Sequence, residues 1–269
     1  MTLTSLKIKI NRGEIVEIKH SAFNYDKHGQ KYSGYRRTDP RIEEYVYAAL
    51  ESASTILNVG AGAGSYEPED KYVIAVEPSS VMRSQRQRGK KVPAIIGTAD
   101  SLPFDDHSFD ASMAMVTIHH WPDIKKGLQE LRRVTREQVL IMTFDPEALD
   151  GYWNAEYFPE LNEIEKVRYP TIDFITESLG GNSQVQQIPI PFDCADGFQE
   201  AFYGRPEAFL DKEVRLSQSA WGFLPDGVEE KLVKRLSDDL KSGTWDKKYG
   251  HYRKKPALMG ALRLIIARP

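Results

Sequence analysis

The sequence predicts an α/β fold: a doubly wound, mostly parallel seven-stranded sheet with an antiparallel last strand and an inserted cap. Three observations predict it. Short apolar runs alternate with helical patterns between residues 40 and 145, the first of these runs ends in glycines at alternate positions, and aromatic residues crowd the stretch that follows.

Leu6, Ile8 and Ile10 alternate ahead of Asn11-Arg12-Gly13, and Ile15, Val16 and Ile18 follow, which predicts a β-hairpin within residues 1–20. In PRIEEYVYAALE (40–51), Ile42, Tyr45, Val46, Ala49 and Leu50 take amphipathic helical spacing, with Pro40 near the start. Strands are expected at Ile56 to Val59, Tyr72 to Val76, Ala94 to Ile96, Phe109 to Val116 and Val139 to Phe144. Between them, one helix should run from Ser79 to Arg88 and stop at Gly89, and another, capped by Asp123, should reach about Arg133. Residues 146–169 read as irregular, followed by a helix from Pro170 to Leu179 and a sixth strand, Gln184 to Pro191, parallel to the first five. The chain then leaves the sheet and returns as a last strand, Leu258 to Ala267. This divides it into a hairpin (1–20), a core (21–145), the remainder of the core with a cap segment (146–191), a cap (192–255) and a final core strand (256–269).

Hydrophobic residues make up 41% and charged residues 28%, and the net charge is −3, so the composition is that of an ordinary globular chain without the basic face nucleic acid requires. Arg83, Arg86, Arg88, Lys90 and Lys91 read as the solvated face of a helix. Cys194 is the only cysteine, which excludes an internal disulfide and fits a reducing cytoplasm. No apolar run resembles a signal peptide or approaches the ~18 residues of a membrane span. His20, His28, His107 and His251 are scattered, so no metal site is expected.

Ile56-Leu57-Asn58-Val59 runs directly into Gly60-Ala61-Gly62-Ala63-Gly64. Glycines there let a ligand approach the backbone and tolerate positive φ, although a plain tight turn would use them equally. The next strand ends at Glu77, where an acid in such a sheet reaches both hydroxyls of a ribose; a solvated glutamate is the alternative. Thr98-Ala99-Asp100-Ser101-Leu102-Pro103-Phe104 follows the third strand, and Asp100 is suited either to accept from an exocyclic amino group or to cap the turn before Ser101.

These three segments, with FDASMAMVTIHHW (109–121) and the helix leading to Arg132-Arg133-Val134, resemble the class I S-adenosylmethionine-dependent methyltransferases, in particular the small-molecule, quinone-pathway type. The resemblance covers about residues 20–145. It implies a Rossmann-like core and S-adenosylmethionine bound at Gly60, Ala61, Gly62, Gly64, Glu77, Pro78, Ala99, Asp100, Ser101 and Val116. Upstream, Tyr25-Asp26, Tyr32 and Arg36 look like the family's lid over the methionine end of the cofactor; ordinary helix-surface packing would account for Tyr32 and Arg36 as well. Two departures stand out. Residues 60–71, interrupted by Pro68, barely supply a crossover and leave no room for the family's helix, and Thr135 to Gln138 replaces a Gly-Gly pair in a turn.

Ile118-His119-His120-Trp121 follows the fourth strand in place of the Asn-Pro-Pro-aromatic motif of the nucleic-acid enzymes, which favours a small acceptor. If the chain is still extended there, only one of the two histidines can face the pocket. The resemblance favours His119 as a general base, with His120 the other candidate and a structural histidine the alternative. Residues 147–255 hold 16 of the 28 aromatic residues. Phe192, Phe198, Phe202, Tyr203, Phe209, Trp221 and Phe223 are therefore expected either to line a chamber for an apolar or aromatic acceptor or, for most of them, to form the cap's own core. The rival functions are a nucleoside-binding protein of the same fold without transferase activity and an NAD(P)-dependent oxidoreductase. The latter would want G-x-G-x-x-G opening a helix, and here the third glycine comes one residue early.

Overall fold

The computed structural model describes residues 5–9, 15–19, 32–50 and 52–269. β1 (Ser5–Lys9) and β2 (Ile15–Lys19) form the expected antiparallel hairpin. The main sheet contains β3 (Thr55–Val59), β4 (Tyr72–Val76), β5 (Ala94–Ile95), β6 (Phe109–Met115), β7 (Thr135–Phe144) and β8 (Asn182–Gln187). A short pair, β9 (Ile190–Pro191) with β10 (Ala257–Leu258), precedes the last strand, β11 (Leu262–Arg268).

The seven strands of the sheet lie in the order β5-β4-β3-β6-β7-β11-β8. β3, β4, β5, β6 and β7 pair in parallel, whereas β11 is antiparallel to both β7 and β8. β8 therefore runs with the first five, as expected. The central strands are apolar on both sides because helices cover both faces, and Ile56, Leu57, Ala111, Met113, Leu140 and Ile141 are fully buried.

Helix α1 (Pro40–Ala49) starts at Asp39, whose side chain accepts from Arg41 N–H. Helices α2 (Ser80–Arg88) and α3 (Ile124–Val134) are capped by Ser79 and Asp123, which accept from Met82 and Lys126 N–H. Gly89 sits at the C-cap of α2 with φ −78°, and it is Lys90 that takes the left-handed conformation, at φ +56°. Thr135 to Gln138 is not a turn: α3 passes directly into β7, and a register shift between Phe109 and Ala111 absorbs the join.

The stretch expected to be irregular contains a short helix, Asn154–Tyr157, and then α4 (Pro159–Arg168). Trp153, Tyr157, Leu161, Ile164 and Arg168 recur at helical spacing and are all buried. After α5 (Ile172–Leu179), the cap is made of short helical turns, α6 (Val228–Lys241) and α7 (Thr244–Tyr249). One apolar core runs from the sheet residues Ile56, Met113 and Phe144 to the cap residues Phe209, Trp221 and Trp245. No helix of the described residues is long and apolar enough to cross a membrane.

Candidate active site

Strands β3, β4 and β6 end side by side, and a cavity of about 420 Å3 opens at their carboxyl ends, where sheets of this type bind ligands. Gly60, Gly62 and Gly64 have φ of +67°, +52° and +96°. Only the first two line the cavity. A side chain at Gly60 would collide with Thr117 Oγ1 at 2.3 Å, whereas one at Gly64 would press on Lys91 and on the ion pair of Glu67 and Arg86. Gly64 thus serves packing behind the loop.

That ion pair replaces the helix missing between β3 and β4. Residues 60–71 form turns alone. Beneath them, Arg86, fully buried, donates through Nη1 and Nη2 to the two oxygens of Glu67 at 2.8 and 3.1 Å, and Asn58 Nδ2 donates to the same carboxylate. Arg83 donates to the carbonyls of Glu77 and Pro78. The basic run is therefore not a uniformly solvated face. Two of its members hold the loops on which the cavity stands.

Glu77, 6% exposed, points inward from the tip of β4. Its oxygens accept from Gly62 N–H and Ser79 N–H, both at 2.8 Å. Burial pushes its carboxyl up, against the pull of those two N–H groups. Ala61, Pro78, Ala99 and Val116 also line the cavity, whereas Asp100 and Ser101 stand outside its lining. Asp100 Oδ1 is nonetheless buried without a partner, as is Asn58 Oδ1, and Asn58 does line the cavity.

β6 stops at Met115, and Val116 turns the chain with φ +51°. A β-branched residue rarely accepts that conformation, and strain of this kind gathers at functional sites. Ile118–His120 then coils into a 3-10 turn, so the extended geometry that would have separated the histidines does not arise. Their rings lie 3.9 Å apart, and His119 also meets Tyr169 at 4.3 Å. His120 borders the main cavity; His119 does not. Both border a smaller inner cavity of about 40 Å3, which shares Arg36, Val116 and His120 with the first. Burial first, then His120, Arg168 and Arg36, push His119 well below the ordinary imidazole range, and burial and the same arginines do this to His120. Both rings are neutral near pH 7.

Arg36 borders both cavities and donates from Nε to Asp196 at 2.5 Å. Tyr66, turned inward at φ +63°, donates its hydroxyl to the other oxygen of Asp196. The side chain of Tyr32 lies outside the described residues, as do Tyr25 and Asp26. Asp196 was not legible in the sequence, because the cap brings it to Arg36 across 160 residues. Met82, Thr117 and Trp121 are among the further lining residues that the sequence did not single out. Most of the aromatic cap residues do not reach the site: Phe202, Phe209 and Trp221 pack with Trp153 and Phe158 as the cap's own core, and Phe198 alone of the seven lines the inner cavity. Among the described residues, no three His, Cys, Asp or Glu side chains are gathered to hold a metal.

A glycine loop, an acid at the second strand tip and a cavity at the switch point define a Rossmann-like nucleoside-binding protein. The methyltransferase domain family matches residues 57–143. A protein of Anabaena variabilis, described as a methyltransferase from an antibiotic biosynthesis pathway, is 30% identical in structure-based comparison, with a TM-score of 0.78 over 87% of this chain and 99% of that one. The uncharacterized methyltransferase YcgJ of Bacillus subtilis is 29% identical over 44% of this chain and 50% of its own length. The ubiquinone/menaquinone biosynthesis C-methyltransferase of Rhodopseudomonas palustris is 26% identical over 45% and 49%. The chain spans about half the length of these curated relatives. It belongs to the class I S-adenosylmethionine-dependent methyltransferase family.

Proposed function

We propose that this protein transfers a methyl group from S-adenosylmethionine to a small-molecule acceptor. The observation that carries this reading is the pair of cavities that share a wall of Arg36, Val116 and His120, one cradled by the glycine loop and Glu77, the other enclosed by the cap. The residues present fit the donor. Each Glu77 oxygen, after accepting one backbone N–H, keeps a lone pair for a ribose hydroxyl. Pro78, Met82 and Ala99 offer apolar surface to an adenine, and Asp100, next to Ala99 in the chain although outside the lining, has an unpartnered Oδ1 suited to its amino group. Arg36 and Asp196 offer opposite charges to a zwitterionic methionine end.

When bound, the donor supplies a methyl carbon activated by a sulfonium, so the chain's task is to orient the acceptor and exclude water. Val116 holds the turn that sets His120 in the shared wall and His119 in the inner cavity, and a neutral imidazole there can take a proton from an acceptor that carries one. Calorimetry tests the reading. S-adenosylmethionine and S-adenosylhomocysteine should bind and NAD and NADP should not; tight dinucleotide binding with no response to S-adenosylhomocysteine overturns it.

A further inference from the structure

The inner cavity has a second neighbour. On its far side lies an open cleft of about 390 Å3 between the turn at Pro146–Ala148 and the loop at Leu258 to Gly260. Tyr152 and Glu200 border both the cleft and the inner cavity, and so form a partition between them. The cleft has three carboxylates, Glu147, Asp150 and Glu200, and no lysine or arginine in its lining, and Lys166 pairs with one of them, Asp150.

The partition is unusual in its polar bookkeeping. Tyr152 is 6% exposed, and its hydroxyl lies beside the Gln199 side chain without a hydrogen bond of good geometry. Glu200 is 2% exposed, both its oxygens accept from the single N–H of Ala261, and no ion pair of the described residues includes it, although the Arg263 charge and the Leu262 N–H also favour its ionised form. An ionised carboxylate so placed is costly unless a cation meets it. Burial accordingly pushes Glu200 up to about 7. In the same lining, Gln199 Oε1 and His119 Nδ1 are buried without a hydrogen bond of good geometry. Among the other walls are the rings of Phe144, Tyr169 and Phe198, whose faces attract cations, and a second carboxyl, that of Glu165, which burial pushes up. One cation, Arg36, borders the chamber, and Asp196 already pairs with it.

We propose that the methyl acceptor is a small amine, protonated in solution, which enters through the acidic cleft past Tyr152 and Glu200 and not through the cofactor's mouth. This rests on the methyl-transfer reading above. An amine cation donates where Gln199, Glu200 and the neutral histidine accept, and its carbon frame lies against the rings. For reaction, the ammonium gives one proton to His119. The freed nitrogen pair forms the new N–C bond as the S–CH3 bond breaks, and that bond's electrons stay on sulfur. The products are the methylated ammonium and S-adenosylhomocysteine, and the imidazolium returns its proton to solvent.

The test uses the full chain saturated with S-adenosylhomocysteine. Ethylamine, benzylamine and 2-phenylethylamine are each titrated calorimetrically against the alcohol and the carboxylate of the same skeleton. At least one amine should bind roughly tenfold or more tightly than its matched alcohol and carboxylate, the loss expected when one charge-assisted hydrogen bond is missing. Glu200→Gln, which keeps an oxygen for Ala261 N–H, should abolish that preference and leave S-adenosylhomocysteine binding unchanged. Tyr152→Phe should weaken the amine alone. A preference for alcohol or carboxylate, no bound amine in a protein that binds S-adenosylhomocysteine normally, or an amine preference that survives in both variants overturns the proposal. Failure of S-adenosylhomocysteine itself to bind overturns the cofactor reading instead.

Discussion

Glu77 shows how one side chain can do two jobs. It ties the glycine loop to the start of α2 through Gly62 and Ser79 and also lines the cavity. Glu77→Ala should therefore weaken S-adenosylhomocysteine binding more than Asp100→Ala, because two hydrogen bonds to a charged acceptor are lost against one, at roughly 1.5–3 kcal/mol each. Calorimetry on the two folded variants decides it, and unchanged affinity in Glu77→Ala would remove this residue from the site. The histidines divide differently. His119→Ala should lower turnover by roughly 10²–10⁴-fold at unchanged cofactor affinity, whereas His120→Ala, which alters the wall of the main cavity, should weaken cofactor binding. Because burial holds both rings neutral, the alkaline rise in rate should be centred below the ordinary value of 6.5, and His119→Ala should abolish it. Stability follows the same sign. Below 6.5 the unfolded chain takes up protons that the folded one refuses, so stability present above that pH falls as the solution is acidified toward the depressed folded value.

Among the elements, the crossover from β3 to β4 bears most directly on the site. No helix spans residues 60–71, and Glu67, buried among them, depends on Arg86 of α2 and on Asn58 of β3. Removing one partner leaves a buried charge uncompensated. Arg86→Ala should cost about 3–5 kcal/mol of stability, read from the denaturant midpoint at constant slope. Glu67→Gln combined with Arg86→Met should recover much of the loss, since a neutral pair carries no stranded charge. If Arg86→Ala and the double variant unfold at the same midpoint, the pair is not what holds the loop.

The whole molecule joins its sheet to its cap through one apolar core. Trp153, fully within it, meets Phe158, Phe209 and Trp245 ring to ring and donates from Nε1 to the carbonyl of Tyr203. The Arg36–Asp196 pair and the backbone bridge at the same two residues close the other side. Cap and sheet should therefore melt together. Tryptophan fluorescence, which reports mainly on the cap, and far-ultraviolet circular dichroism should give coincident denaturation curves. Two separated transitions would show that the cap folds on its own.

The antiparallel direction of the last strand followed from the family resemblance, while the amino-acid order alone determined the strands of the sheet, the glycine loop and the acid at the second strand tip. Each of these rests on neighbours in sequence: an apolar run is long enough to be a strand, a glycine permits positive φ where it stands, and Ser79 or Asp123 caps a helix two or three residues on. The helix from Pro159 was missed, because a proline and a run of aromatic residues hid the helical spacing of Leu161, Ile164 and Arg168. What only the tertiary structure decided are the meetings across long separations. Asp196 reaches Arg36, Glu200 closes over the inner cavity, and Gly64 proves to be packing because Arg86 and Glu67 lie against it. The pairing of the two histidine rings belongs here too, since it follows from the positive φ of Val116, which no local pattern requires. Such contacts depend on how the cap folds back over the sheet, and that is fixed by the burial of a shared core whose members lie far apart in the chain.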